Sequence, residues 1–298
     1  MAHHDGFGWW PALLILLTVA TEVYVWTASR ARRSATGWNG SRVLCWLTGV
    51  TLLAVATSPE HSGWAQHDDR GQFAQHLIVG MYAPLALVLA APMTLALGSM
   101  PRPYARRITG VLRHPFGQLL GHPVTALALS TGGLYLVHLT AVGPAVHAEP
   151  LWHTAVLLHY FAAGYLFAWS IAGPDPAPHR PGLPTRVAVL VIAGAGHAVL
   201  AKLLYAWAPP GPAGDAARAG AQLLYYGADG AEVLLAVALF AGWYHRRRPR
   251  PRIAMRTEED TVFSHVKDLQ FEAKPRLSPV RATRECPPCG DDSAPRDQ

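Results

Sequence analysis

The sequence predicts an all-α, polytopic membrane protein with seven transmembrane helices, its N-terminus outside and its C-terminus in the cytoplasm. Three observations predict it. Of the 298 residues, 51% are hydrophobic and only 15% are charged, whereas an ordinary soluble protein carries about 25% charged residues. The apolar residues come in long blocks, not in the short alternating segments of about ten residues that a membrane barrel shows. The arginines fall after every second block.

A bilayer core of about 30 Å takes about 20 helical residues at 1.5 Å each, and helices pair their own backbone groups where lipid cannot. Blocks of that size lie at about 10–28, 41–57, 72–98, 120–141, 151–172, 184–207 and 220–244. The first follows "MAHHDG", which has no Lys or Arg, so it reads as a span and not as a cleaved leader. The second is the shortest. The third contains Pro84 and Pro92, which should kink it or force neighbours to satisfy the freed carbonyls. The sixth contains "VIAGAGHAVLA", whose small residues admit a close neighbour. Helix breakers in "GSMPRP" and "GPDPAPHRPGLP" mark inner loops, and "APPGPAG" turns the sixth block into the seventh outside.

Orientation follows from charge. Arg30, Arg32, Arg33 and Arg42 follow the first block, and Arg102, Arg106, Arg107 and Arg113 the third. Arg180 and Arg186 follow the fifth, and Arg246, Arg247, Arg248, Arg250 and Arg252 the seventh. The remaining connections hold only Arg70 and Arg218, against five acids. Cytoplasmic loops carry the excess of basic residues, so an odd number of spans and the charge bias agree. The net charge of +6 is spent at the membrane surface and not on nucleic acid. Residues 1–245 form the membrane domain. Residues 246–298 read as a basic, proline-rich, disordered cytoplasmic tail whose arginine run meets anionic lipid headgroups. Cys45 is isolated, and Cys286 and Cys289 form a "CPPC" in that tail. A reducing compartment argues against a disulfide there, and one CxxC lacks the second pair of a zinc site.

The polar residues inside the blocks carry the functional reading. Counted at about 1.5 Å per residue, His76, His138, His153 and Lys202 lie shallow from the outer ends, while His159, His197, Asp229 and Glu232 lie about 12 to 18 Å deep. Blocks three to seven therefore aim polar groups at one layer. Gln222, Tyr225, Tyr226 and Asp229 follow the i, i+3, i+4, i+7 rule of a single helix face, with Glu232 near it. A stripe this polar is expected to line a protein interior or a wet cavity, with Lys202 paired to Asp229 or Glu232. Imidazoles beside carboxylates and Met81 suit copper or zinc. A lone membrane histidine more often makes a helix contact, so it is the convergence on several helices that points to metal. No HExxH, GxSxG, GxGxxG or P-loop occurs in a usable context, so the chain is not read as an enzyme.

Four stretches also resemble a known family. "QHLIVGMYAPLALVLAAPMTLAL", "HTAVLLHYFAAGYLFAWSIAGPDPAPHR", "GHAVLAKLLYA" and "QLLYYGADGAEVLLAVALFAGWY" are similar to the caa3-type cytochrome c oxidase assembly factors, the multi-spanning CtaG family. The resemblance runs from about residue 37 to 245. It implies a cell-membrane protein that supports maturation of a haem–copper oxidase, with oxidase subunits as partners and copper as the expected metal. The family's span-three H-M-x-x-H pattern falls on Gln72, Phe73 and His76, so this chain has Gln72 where the first histidine is usual. On this reading His76, His159 and His197 are the ligand candidates, with His138 and His153 as entry or alternative ligands. Asp229 and Glu232 orient an imidazole or balance charge, and Lys202, Tyr225 and Gln222 belong to the same polar face. The alternatives are a b-type haem carrier ligated by two histidines, a copper or proton transporter using the same layer, and a scaffold that touches no metal.

Overall fold

The computed structural model describes residues 9–33, 37–143, 149–177 and 180–247. His3, His4, His147, His179, His265, Cys286 and Cys289, and the tail from residue 248 onward, lie outside the described residues. Every regular element described is helical: α1 (Trp10–Arg32), α2 (Gly40–Ala56), α3 (Pro59–His67), α4 (Asp69–Leu77), a π-helical turn (Ile78–Tyr82), α5 (Ala83–Leu89), α6 (Pro92–Ser99), α7 (Arg102–Arg113), α8 (Pro115–Leu120), α9 (Pro123–Leu139), α10 (Pro150–Ala172), α11 (Leu183–Trp207) and α12 (Pro212–Arg247).

Five stretches among the described residues are long and apolar enough to cross a bilayer: α1, Asp69–Leu89, Leu151–Ala172, α11 and α12. α2 and α3 pass the same test only as a pair bent by 57°, which makes a sixth. α9 is apolar but has 17 residues. The protein is thus a multi-pass membrane protein, and the blocks predicted at 41–57 and 120–141 are the ones that fall short as single straight helices. The reasons are local. Ser58 breaks the first of them by capping a new helix, its side chain accepting from the His61 N–H at 3.3 Å, with Pro59 at the first helical position. Pro123, capped by His122, delays the start of α9.

The third block is segmented for the same kind of reason. Pro84 has no N–H for the Gly80 carbonyl, and its ring would press on that oxygen in a regular helix. The backbone widens instead: the Ala83 N–H donates to the Ile78 carbonyl, one residue further back than in an α-helix. The Gly80 carbonyl lies against Gly164 of α10, so closely that a methyl at residue 164 would collide with it. Pro92 ends the span outright. Ala91 adopts the left-handed conformation, φ 54°, and α6 starts afresh.

Asp175 of the "GPDP" turn supplies the caps that α6 lacks. It is 2% exposed and accepts from the Met93 N–H at 3.3 Å, the Thr94 N–H at 2.7 Å and the Thr94 hydroxyl at 2.6 Å. Arg180 closes the same turn by donating to the carbonyls of Gly173, Trp169 and Asp175. Burial pushes its guanidinium down to about 10, with Arg186 and Arg246 adding to the effect and Asp175 opposing it. It stays charged at neutral pH.

Of the four buried apolar clusters among the described residues, two bracket the polar residues of the bundle. One, with Leu85, Phe167, Ile171, Val189 and Leu239, lies toward the GPDP turn. The other, with Phe73, Leu77, Leu134, Tyr160, Leu200 and Leu224, lies toward the opposite ends of the same helices. Lipid tails are as apolar as these side chains, so packing quality holds the helices together more than burial from water. Fully or nearly buried alanines at 126, 193, 201, 221, 228 and 231 permit that close fit.

Candidate functional site

Between the two apolar clusters lies a thin polar layer. In sequence order, His197 sits between Ala193 and Leu200 on α11, Glu232 between Ala228 and Leu235 on α12, and His76 one residue before Leu77 on α4. Each polar residue is therefore flanked along its helix by core positions, and helical periodicity turns it inward with them.

His197 is 3% exposed and Glu232 9%. The His197 Nδ1 lies 2.8 Å from Glu232 Oε1 and 3.1 Å from the Ala193 carbonyl. Both partners are acceptors, so Nδ1 carries the proton and Nε2 points the other way. Gly194 provides the space for this pair: a Cβ there would run into Glu232 Oε2.

His76 is 4% exposed, and neither of its ring nitrogens has a hydrogen-bond partner. Its ring stands edge-on to Tyr160, with centroids 4.6 Å apart, and 6.3 Å from the His197 ring. The Tyr160 hydroxyl is likewise buried without a hydrogen-bond partner. Buried polar atoms are nearly always paired, so two orphaned imidazole nitrogens beside an orphaned phenol mark a place built for something other than helix packing.

A cavity of about 20 Å³ opens on this side of His76, lined by Gln72, Gln75, His153 and Tyr160 among others. That is room for about one water. Gln75 anchors it by donating to the Ala56 carbonyl at 2.7 Å and to Ser62 Oγ at 3.3 Å. Its own oxygen lies 3.2 Å from His153 Nε2, which must therefore donate.

The structure thus brings His76, His197 and Glu232 together, with His153 at the adjoining cavity. It places the other predicted residues elsewhere. His159 turns to α9, where its Nε2 lies 3.0 Å from the Leu129 carbonyl in a notch left by Gly133. His138 stacks on Phe73 at 5.1 Å and bonds the Leu134 carbonyl of its own helix at 2.9 Å. The expected pairing of Lys202 with Asp229 or Glu232 does not form among the described residues, where the two ion pairs within 4.0 Å are His197–Glu232 and Arg218–Asp215. Lys202 lies over the Tyr225 ring instead, 5.6 Å from its centroid. Nor does the stripe on α12 line an interior: Gln222, Tyr226 and Asp229 are exposed, Tyr225 is half-buried, and only Glu232 is turned into the bundle. Residues 229 and 232 are only about 60° apart around a helix at 100° per residue, and the edge of the buried face falls between them, with Glu232 inside it and Asp229 outside.

Sequence reasoning passed over Gln75 and Tyr160. Gln75 carried a usable signal, since it is a polar residue in an apolar block beside His76. Tyr160 did not, because its neighbour His159 is the more conspicuous residue and nothing in the local pattern says which of the two faces the core.

Among the described residues no three His, Cys, Asp or Glu side chains are grouped to hold a metal. The fit to copper rests on two imidazoles, a donor type that suits it. A haem macrocycle does not fit a cavity of about 20 Å³.

An uncharacterised protein of Mycobacterium bovis is 31% identical over 174 residues, covering 56% of this chain and 26% of that protein. An uncharacterised protein of Mycobacterium tuberculosis matches with the same figures. One of Mycobacterium leprae is 30% identical over 183 residues, 59% of this chain and 28% of that protein. The matched stretch covers only about a quarter of the length of these relatives. No solved structure matches the chain. The model of the cytochrome c oxidase caa3 assembly factor family, CtaG, matches residues 22–246, and this chain belongs to that family.

Proposed function

We propose that the protein assists assembly of cytochrome c oxidase from within the membrane and takes copper as its cargo between His76 and His197. The observation that carries the reading is the buried His76 ring, with no hydrogen-bond partner on either nitrogen. Its centroid is 6.3 Å from that of His197, and metal–nitrogen bonds of about 2.0 Å fit between rings so spaced. Glu232 holds the His197 proton on Nδ1 and fixes the ring's orientation, which leaves Nε2 as the coordinating atom. His153, at the small cavity beside His76, serves as the point of entry, and the half-buried Met81 offers a soft sulfur nearby. A site of two firm ligands is suited to passing an ion on and not to keeping it. The partner is the oxidase subunit that receives the ion.

The topology that goes with this reading has seven spans. α2 with α3 forms one and α9 another, since 17 residues is the short end of what crosses a bilayer. The arginine-rich connections then lie in the cytoplasm and the histidine layer nearer the outer face.

Copper(I) titration of the purified full chain against a competing chelator tests it. One ion per chain is expected, with His76→Ala and His197→Ala each weakening binding by about tenfold or more. Sub-stoichiometric copper that neither substitution changes overturns the reading. Copper uptake into proteoliposomes would assign the same site to transport. Loss of copper from the oxidase in cells lacking the protein supports assembly.

A further inference from the structure

The outer flank of the α11–α12 pair carries two opposite charges, Lys202, whose aromatic contact is the Tyr225 ring of the same chain, and Asp229. Lys202 and Asp229 are both exposed, both lie in membrane-crossing segments, and neither takes part in an ion pair among the described residues. The surface around them is apolar: Val199, Val233, Leu234 and Val237 are exposed. An ionised group facing hydrocarbon is costly, and such groups are almost always paired.

Their heights match. The His197–Glu232 contact fixes the antiparallel register of the two helices. Lys202 lies five residues beyond His197 toward the outer end, and Asp229 three residues beyond Glu232 toward the same end. At about 1.5 Å per residue their backbones differ in height by about 3 Å, which a lysine side chain spans. Two copies inserted the same way round are related by an axis along the membrane normal, and rotation about it preserves height. A two-fold axis beside this flank therefore sets Lys202 of each copy against Asp229 of the other, so one face is complementary to itself. The same flank has a groove of about 250 Å³ whose polar lining includes Gln222, Tyr225 and Tyr226, which adds hydrogen-bonding groups at the contact.

We propose that the protein forms a two-fold dimer through the α11–α12 flank, closed by reciprocal Lys202–Asp229 ion pairs between copies.

The test co-expresses two differently tagged full-length copies, extracts them in mild detergent, and reads recovery of one tag with the other. Wild-type tags are expected to co-purify. Lys202→Asp alone places like charges at both contacts, as does Asp229→Lys alone, and each is expected to lose recovery by about tenfold or more. Co-expression of the Lys202→Asp chain with the Asp229→Lys chain should restore it, because the mixed dimer has opposite charges at both contacts. The double variant in one chain should also associate with itself, which shows that the altered residues still permit folding. Wild-type tags that do not co-purify overturn the proposal and leave the face to a helix of a different protein. Recovery indifferent to the charges overturns it too. So does a mixture that fails to rescue, the result expected if the two residues pair within one copy.

Discussion

The Nδ1 of His197 donates to Glu232 Oε1 at 2.8 Å across the α11–α12 interface, and among the described residues the other buried acid is Asp175 of the GPDP turn. The contact does two jobs. It locks the two longest helices in register, and it fixes which imidazole nitrogen is left over. Glu232→Gln keeps an acceptor at the same place but exchanges the carboxyl group for an amide, a weaker partner for the ring N–H. Losing an outer partner of this kind costs about 10- to 100-fold in metal affinity, so Glu232→Gln is expected to bind copper weakly while folding normally. Chelator competition on the variant measures the first, and its thermal unfolding in detergent the second.

His76 and His159 make a sharper pair of opposites. Both were equal candidates on sequence, yet His76 has two unpartnered nitrogens and His159 has one committed to the Leu129 carbonyl. His159→Ala should leave copper binding near wild type and lower stability by about 1–3 kcal/mol through the orphaned packing and the lost bond. His76→Ala should abolish tight copper binding with a smaller stability cost, since no hydrogen bond is lost. Binding isotherms and melting curves for the two variants, taken together, distinguish the roles.

The helical class, the positions of the long apolar blocks and the list of intramembrane polar residues were all legible in the sequence, because lipid imposes a composition that few other environments tolerate. What was not legible is azimuth. Helix rise put His197 and Glu232 at one depth and His76 nearer the outer end, whereas the structure sets the His76 ring beside that of His197; a seam of buried alanines at 221, 228 and 231 decides that Glu232 points in and Asp229 out. The polar stripe of Gln222, Tyr226 and Asp229 fits one face perfectly well; it is the outer one. The breaks at Ser58 and Pro92 were half legible, since proline announces an interruption but not whether the chain bends, widens or restarts. Asp175 shows the limit most plainly. Its place in a proline-rich turn reads as a loop acid, whereas its work is done on a helix more than 80 residues earlier.

That work gives a third expectation. Asp175 accepts three hydrogen bonds from the start of α6 and is buried. Asp175→Asn retains one oxygen and so the two bonds to Thr94, whereas Asp175→Ala orphans the helix end. The alanine variant should lose about 1–3 kcal/mol and the asparagine variant about half of that. Ordered melting points of wild type, Asn and Ala are the check, and equal losses for Asn and Ala would show that the charge, not the hydrogen-bond count, is what α6 requires.

The last expectation concerns the crossing that holds His76 in place. α10 approaches the π-helical turn through Gly164, against the Gly80 carbonyl that Pro84 leaves without a donor. A Cβ at 164 meets backbone, which cannot rotate away as a side chain can, so Gly164→Ala must push the two helices apart. Gly132 on α9 has no atom within 4 Å of its would-be Cβ and serves as the control. Gly132→Ala should be neutral or stabilising by up to about 1 kcal/mol, from helix propensity alone. Gly164→Ala should cost about 1–3 kcal/mol, the range for overpacking. Because the separated helices carry His76 and Tyr160, the Gly164 variant should also bind copper less tightly, although residue 164 is not itself a ligand. Melting curves and chelator competition on the two alanine variants settle both halves, and a Gly164→Ala protein as stable and as copper-competent as Gly132→Ala would remove the crossing from the account.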